Sequence, residues 1–177
     1  MFVKVCGITT TEQIGWASEL GYSAVGIVLH PGSPRFLEFG RALELAAHAR
    51  GRLLSVAVGV SGDEIAPCRG DFDLAQAYEH CEGDSFIYAG TDPPPGGLFL
   101  FDASRGSGRA ESFPKWLHDL RGRLIISGGL GPGNVGAVIR EFRPYGVDVS
   151  SGVEATRGVK DYGMMKEFIE EVRHAAR

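Results

Sequence analysis

The sequence predicts a (β/α)8 barrel, or TIM barrel, whose outer ring of helices is trimmed around strands 3 to 6. Eight short apolar runs are spread over the 177 residues, and those in the first and last thirds alternate with helical patterns. Such alternation indicates βαβ units and a parallel sheet. A complete barrel normally needs at least ~200 residues, so this chain has room for only about five full helices. We therefore expect one barrel domain over residues 1–177, with a doubly wound open sheet as the rival fold on length alone.

Two strand–helix units and a third strand make up the first third of the chain. Thr10 or Thr11 is a suitable N-cap for the first helix, and Gly21 is a typical stop after it. The second strand is almost entirely apolar, as expected when both faces of a strand are buried in a parallel sheet. The predicted strands are Phe2–Cys6, Ser23–Leu29 and Leu53–Val60, and the predicted helices are Thr10–Leu20 and Glu38–Arg50.

The middle of the chain has strands without full helices between them. Residues 63–68 have room for one helical turn, and Asp92–Gly97 contains three consecutive prolines, which exclude a helix. Apolar strand surface left bare here must be covered by loops such as Gly90–Gly97 or by a second copy of the chain, so a homodimer is one expectation. The predicted strands are Phe72–Tyr78, Ser85–Ala89 and Leu98–Asp102.

The regular alternation of strand and helix returns in the last third. Pro132 and Pro144 fall at boundaries between elements, where proline is tolerated. The predicted strands are Leu124–Ser127 and Val147–Val149, and the predicted helices are Pro132–Phe142 and Lys160–Ala176.

Composition and charge argue against several classes of function. The formal net charge is −4, which disfavours a nucleic-acid partner because such binders carry a clustered basic excess. No segment has the apolar length needed to cross a bilayer, and the chain starts directly with a strand pattern instead of a signal peptide. Three cysteines fit a reduced compartment better than a disulfide framework. We therefore expect a cytoplasmic protein without nucleic-acid or membrane partners.

The alternation of side chains along the first and last strands predicts a buried ion pair. Lys4 and Cys6 point the same way, into the barrel, where an unpaired charge is very costly. Asp148 faces inward on strand eight by the same alternation. Because strands one and eight are neighbours in a closed barrel, we expect Lys4 to pair with Asp148. An open sheet would not allow this contact.

Four segments and a short lead-in to the last helix together resemble the phosphoribosylanthranilate isomerase family. They are Lys4–Thr9, Ser33–Arg35, Ser127–Leu130, Val147–Glu154 and the lead-in Gly158–Asp161. The resemblance covers residues 1–60 and 98–177 well and the middle poorly. It implies an Amadori-type isomerase of tryptophan biosynthesis that converts a small phosphorylated aminoaldose to an aminoketose. Two proton-transfer groups suffice for that reaction, so neither an organic cofactor nor a metal is expected.

The resemblance assigns proton transfer to Cys6 and Asp102. Each residue ends a predicted strand, at the face of the barrel where ligands bind. A free cysteine is more often a small buried hydrophobe, and an aspartate at a strand end is often a turn former. The family motifs imply instead that Cys6 is the general base and Asp102 the general acid. A thiol base needs a nearby positive charge or hydrogen-bond donor, and an apolar floor around Asp102 would keep it protonated.

The resemblance also supplies a set of substrate-binding residues. It implies that the guanidinium of Arg35 grips the anthranilate carboxylate, and that glycine-rich loops after strands seven and eight bind the phosphate through backbone N–H groups. Asp148 either positions the substrate or serves only its ion pair. The looser segment Gly106–Arg109 would close over the same ligand. The predicted phosphate-binding residues are Gly128, Gly129, Ser150, Ser151 and Gly152.

One departure from the family pattern leaves alternatives open. Tyr78 stands where the family carries a histidine in a glutamine-leucine-histidine-glycine motif. Cys68, His80 and Cys81 suggest zinc, but nothing nearby completes four ligands, so no metal site is predicted. The alternatives are a non-catalytic phosphosugar-binding barrel and a related phosphosugar isomerase with another substrate.

Overall fold

Eight parallel strands close into a barrel in the computed structural model, which describes residues 1–68, 70–79, 85–102 and 113–177. Each strand pairs with the next along the chain, and β8 pairs with β1. This closure confirms the barrel and excludes the open sheet. The strands are β1 Phe2–Cys6, β2 Ala24–Val28, β3 Leu54–Val58, β4 Leu74–Ala77, β5 Phe86–Gly90, β6 Leu98–Asp102, β7 Leu124–Ser127 and β8 Gly146–Val149.

The register between β1 and β8 fixes which side chains share the interior. The Cα of Lys4 lies opposite that of Asp148, and both side chains point inward as the alternation predicts. Apolar side chains from the other strands fill the rest of the barrel centre, and the larger core lies between the strands and the helices. The central cluster consists of Ala24, Val56, Ile87, Ala89, Leu100 and Ile125.

Among the described residues, four α-helices of ten or more residues form the outer ring. The first helix begins as predicted, because the side chain of Thr10 accepts a hydrogen bond from the backbone N–H of Gln13 at 3.2 Å. It ends at Gly21, whose φ of 81° is in the left-handed region. The full helices are α1 Thr11–Leu20, α2 Phe39–Ala49, α4 Pro132–Phe142 and α5 Tyr162–Ala175; α3 is the single turn Gly62–Ile65.

The start of the last helix was predicted wrongly. The helix begins at Tyr162, and Asp161 caps it by accepting a hydrogen bond from the backbone N–H of Met164 at 2.8 Å. Lys160 instead belongs to a small antiparallel hairpin of β9 Glu154–Thr156 and β10 Val159–Lys160. The sequence pattern did not reveal this hairpin.

Within the described residues, the helical ring is trimmed between β3 and β4 and between β5 and β6, as the sequence predicts. The described part of the first connection forms only α3 and the 3-10 turn Ala66–Cys68, and residues 91–97 contain no helix. Arg123 holds that second loop by donating hydrogen bonds to the backbone carbonyls of Pro94, Gly96 and Gly97, at 2.7, 3.2 and 3.3 Å. A 3-10 helix, Lys115–Leu120, precedes β7.

Most outward side chains of β4 to β6 are nevertheless buried within one chain, and Tyr88 is half-buried. Phe99 is fully buried, and the ring of Phe101 packs edge-on against Phe113 and Trp116. Aromatic residues and loops therefore cover the outer faces of these strands, whereas helices cover the other strands. The buried outward residues are Ala75, Ala77, Phe86, Phe99 and Phe101. No helix within the described residues is both long and apolar enough to cross a membrane.

Candidate active site

One cavity of about 450 Å³ opens at the carboxyl ends of the strands. Both predicted proton-transfer residues, Cys6 and Asp102, line it. So do Arg35 and the glycines at the end of β7, so the residues that the sequence analysis singled out share a common space. The predicted binding residues that line the cavity are Arg35, Gly128, Gly129, Asp148, Ser150 and Ser151.

Cys6 is held at the base of this cavity by close backbone packing. A Cβ at Gly26, on the neighbouring strand, would lie 2.9 Å from the Cys6 Sγ, so the thiol fits only beside a glycine. The Cys6 carbonyl accepts a hydrogen bond from the Ser150 hydroxyl at 3.0 Å. Burial raises the pKa of the Cys6 thiol, and the positive charge of Lys4 opposes that rise without cancelling it. The predicted nearby cation is therefore present, yet the resting group is a neutral thiol.

The predicted ion pair between Lys4 and Asp148 is confirmed. The Lys4 Nζ lies 2.7 Å from Asp148 Oδ1, and the lysine side chain is fully buried. The second carboxylate oxygen accepts a hydrogen bond from the Ser127 hydroxyl at 3.0 Å. Burial alone would lower the pKa of Lys4, but Asp148 and Cys6 together outweigh burial and raise it, so the lysine stays charged. Both oxygens of Asp148 are thus engaged within the protein.

Asp102 shares a hydrogen bond with Tyr78, the residue that departs from the family pattern. The tyrosine hydroxyl donates to Asp102 Oδ2 at 2.7 Å, and the carboxyl side chain is largely buried, at 6% exposure. Burial and the neighbouring carboxylate both raise the pKa of Tyr78 far above its ordinary value. The phenol is therefore a neutral donor throughout the usual pH range.

The guanidinium of Arg35, predicted to bind a ligand carboxylate, already forms a bidentate pair with Glu154. Its Nε and Nη2 donate to the two carboxylate oxygens, both at 2.7 Å. Nη1 makes no hydrogen bond with any residue of the described ranges. The bidentate geometry expected for the substrate is thus found with a protein side chain, and the outer edge of the guanidinium remains available to a ligand.

Glu154 joins two buried cations. Lys160 donates to it at 2.7 Å and to the Ser150 carbonyl at 3.0 Å, and the backbone N–H of Gly158 donates to it at 3.1 Å. Burial alone would raise the pKa of Glu154, but the hydrogen bonds from Arg35 and Lys160 hold it at about 2. Burial lowers the pKa of Lys160, and Glu154 offsets that only in part. Sequence reasoning gave neither residue a role, although both lie in the quoted segments.

The loops after β7 and β8 pack together through glycines. Gly128 and Gly129 have φ angles of 88° and 69°, in the left-handed region that glycine tolerates without strain. A Cβ at Gly152 would collide with the backbone carbonyl of Leu130, so the two loops approach more closely than another residue would allow. Asn134 fastens the turn by accepting from the Gly131 N–H and donating to the Gly129 carbonyl, both at 2.9 Å.

Several further sequence predictions concern residues at the margin of the site or beyond it. The segment Gly106–Arg109 lies outside the described residues, as do His80 and Cys81. Cys68 is buried away from the cavity, where its thiol donates to the Ile65 carbonyl at 3.4 Å. Within the described ranges, no group of three or more His, Cys, Asp or Glu is placed to hold a metal ion.

A closed barrel with ionisable side chains gathered at the carboxyl ends of its strands defines a (β/α)8-barrel enzyme. A family model described as N-(5'phosphoribosyl)anthranilate (PRA) isomerase matches residues 91–171. An N-(5'-phosphoribosyl)anthranilate isomerase from Ralstonia nicotianae is 33% identical over 216 residues, covering 98% of this chain and 93% of the relative. This chain belongs to the N-(5'-phosphoribosyl)anthranilate isomerase family. Membership confirms the predicted function, an isomerase of tryptophan biosynthesis.

Solved structures agree with this assignment. TrpF from Jonesia denitrificans superposes with a TM-score of 0.84 at 30% identity, covering all of both chains. A phosphoribosyl anthranilate isomerase in complex with reduced 1-(o-carboxyphenylamino)-1-deoxyribulose 5-phosphate has a TM-score of 0.80 at 28% identity, covering 98% and 99% of the two chains. A structure of monomers generated from the dimeric phosphoribosylanthranilate isomerase of Thermotoga maritima has a TM-score of 0.80 at 27% identity over 98% of each chain.

Proposed function

We propose that Cys6 and Asp102 catalyse the aminoaldose-to-aminoketose rearrangement as general base and general acid. The observation that carries this proposal is the single cavity that both side chains line together with the glycine loops of β7 and β8. Asp102 protonates the ring oxygen of the furanose, and the bond from that oxygen to C1′ breaks to give a Schiff base. Cys6 then removes the proton from C2′, and the resulting enolamine becomes the ketone. The product is an isomer of the substrate, so no electrons enter or leave.

The reactive form of the pair holds one proton, on Asp102. Because burial raises the pKa of the Cys6 thiol, the thiolate that accepts the substrate proton is a minority of the enzyme at neutral pH.

Arg35 is proposed to bind the anthranilate carboxylate through the outer edge of its guanidinium. Glu154 occupies the Nε side and fixes the plane of the group. The Nη1 side can then donate to a ligand carboxylate without a rearrangement of the side chain. Glu154 and Lys160 are in this account positioning residues for Arg35.

The phosphate is proposed to bind between the loops after β7 and β8. Gly128, Gly129 and Gly152 allow close approach of backbone N–H groups, and the N-terminus of α4 adds a favourable dipole. Ser150 and Ser151 flank the same cavity. Both oxygens of Asp148 are engaged, one by Lys4 and one by Ser127. Asp148 therefore holds the positive charge of Lys4 beneath the Cys6 thiol and does not touch the substrate.

We further propose that the chain works in the cytoplasm as a homodimer on a small phosphorylated substrate. The low cysteine content supports the compartment, and the dimeric Thermotoga maritima relative supports the assembly. The trimmed side of the barrel does not itself require a partner, because most of its outward residues are buried within one chain. Light scattering during gel filtration should give twice the chain mass, and a monomer mass would refute the dimer.

The loss of the substrate's anthranilate fluorescence tests the catalytic assignment. Cys6→Ala and Asp102→Asn should each lower kcat by about 10²- to 10⁴-fold, the usual contribution of a positioned acid or base. Cys68→Ala is the matched control, because that thiol is buried outside the cavity, and it should turn over normally. Binding without turnover in the wild type would favour the non-catalytic phosphosugar-binding barrel instead.

A further inference from the structure

The hydroxyl of Tyr78 makes a direct contact with the proposed acid. Tyr78 follows β4 and Asp102 ends β6, so the two residues come from strands that are separated by β5. The 2.7 Å hydrogen bond between them therefore spans the mouth of the barrel. We propose that Tyr78 is a positioning residue that fixes the orientation of the Asp102 carboxyl group. This inference rests on the proposed role of Asp102.

Hydrogen bonds hold Tyr78 at both ends. Its backbone N–H donates to the Val60 carbonyl at 3.2 Å, just after β4, and its hydroxyl donates to Asp102. The residue is half-buried and lines both the active-site cavity and a second cavity of about 360 Å³. A phenylalanine would keep the ring and remove only the hydroxyl.

The hydrogen bond becomes stronger as Asp102 donates its proton. As the proton moves to the substrate's ring oxygen, Asp102 becomes a carboxylate, and its bond to the phenol becomes a stronger, charge-assisted one. Tyr78 itself keeps its proton throughout, because burial and the carboxylate raise its pKa.

Tyr78→Phe removes the donor and keeps the ring. We expect kcat to fall about tenfold with KM within about threefold, since a lost hydrogen bond to a charged group is worth about 1.4 kcal/mol or more. Tyr78→His, which restores a donor, should recover part of the turnover. Tyr88→Phe is the control, because Tyr88 lines only the second cavity.

Three results separate the possible outcomes. An unchanged thermal midpoint would show that Tyr78→Phe is folded. If this folded variant keeps the wild-type kcat and KM, the inference is wrong. If Asp102→Asn keeps full turnover, the proposed function of Asp102 fails and this inference fails with it. Adding Tyr78→Phe to Asp102→Asn should cost nothing further, because the two residues act as one unit. A further multiplicative loss in the double variant would show that Tyr78 acts independently of Asp102.

Discussion

The two sides of the barrel build their parts of the active site in different ways. Around β8, β1 and β2 the cavity wall is a set of buried charges tied to one another, Lys4 with Asp148 and Arg35 with Glu154 and Lys160. Full helices back this side. Around β4 to β6 the wall carries the Asp102 carboxyl group and the Tyr78 phenol, and among the described residues loops and aromatic rings lie behind it instead of full helices.

This contrast shows which parts of the outer ring the fold can spare. Burying charged groups requires every partner to be held in place, because a buried charge without its partner is strongly destabilising. On the β4–β6 side, the outer layer of the barrel covers apolar strand faces. Phe113 and Trp116 cover Phe101 there without a full helix. Hydrophobic burial has no directional requirement, so helices can be lost from this side at little cost.

The largest effect on stability should come from breaking the central ion pair. Lys4→Met leaves the buried carboxylate of Asp148 without its cation, and the free energy of unfolding should fall by about 3–5 kcal/mol. Urea denaturation measures this change. Arg41→Ala is the control, because the Arg41–Glu44 pair is exposed and should be worth less than about 1 kcal/mol. Equal losses in the two variants would contradict the view that burial makes the first pair important.

An intermediate effect, with a pH signature, should follow from Glu154→Gln. The pKa of Glu154 is held at about 2 in the folded chain, below the ordinary value of 4.5. Its stabilisation is therefore present above pH 4.5 and is lost as the pH falls towards 2. The variant should lose about 2 kcal/mol at neutral pH, after allowance for solvent screening, and approach the wild type in acid. Unfolding curves at several pH values test this prediction. A difference in stability between variant and wild type that does not depend on pH would contradict the ionised state of Glu154 between Arg35 and Lys160.

The smallest effect should lie on the trimmed side. Arg123→Ala removes the hydrogen bonds to the carbonyls of the 91–97 loop, and we expect a loss of only about 1 kcal/mol, because these bonds compete with water. Arg121→Ala, a neighbour without these contacts, should change nothing measurable. A loss of stability for Arg123→Ala as large as that for Lys4→Met would show that the 91–97 loop stabilises the protein as much as the central ion pair does.

Side-chain alternation was enough to predict the contacts that depend on neighbouring strands. Lys4 and Asp148 face inward on β1 and β8, and barrel closure alone brings them together. The glycines at the ends of β7 and β8 were likewise visible, because their positions in the chain place them at one edge of the barrel. The lack of helices near β4 to β6 followed from counting residues.

Contacts that depend on loop geometry could not be predicted. The Glu154 carboxylate that binds Arg35 begins a two-stranded hairpin, which the sequence analysis did not predict and of which it placed only Lys160 in a helix. Tyr78 meets Asp102 across an intervening strand, at a distance set by barrel curvature rather than by pairing. Neither relation has a signature in residue spacing.

A crystal structure of this chain with reduced 1-(o-carboxyphenylamino)-1-deoxyribulose 5-phosphate would show whether Cys6 and Asp102 act on the same bound sugar. We expect the carboxylate at the outer edge of Arg35, the phosphate at Gly129 and Gly152, and the sugar carbons between Cys6 and Asp102. A ligand whose phosphate lies away from the glycine loops, or whose sugar contacts only one of the two proton-transfer groups, would contradict it.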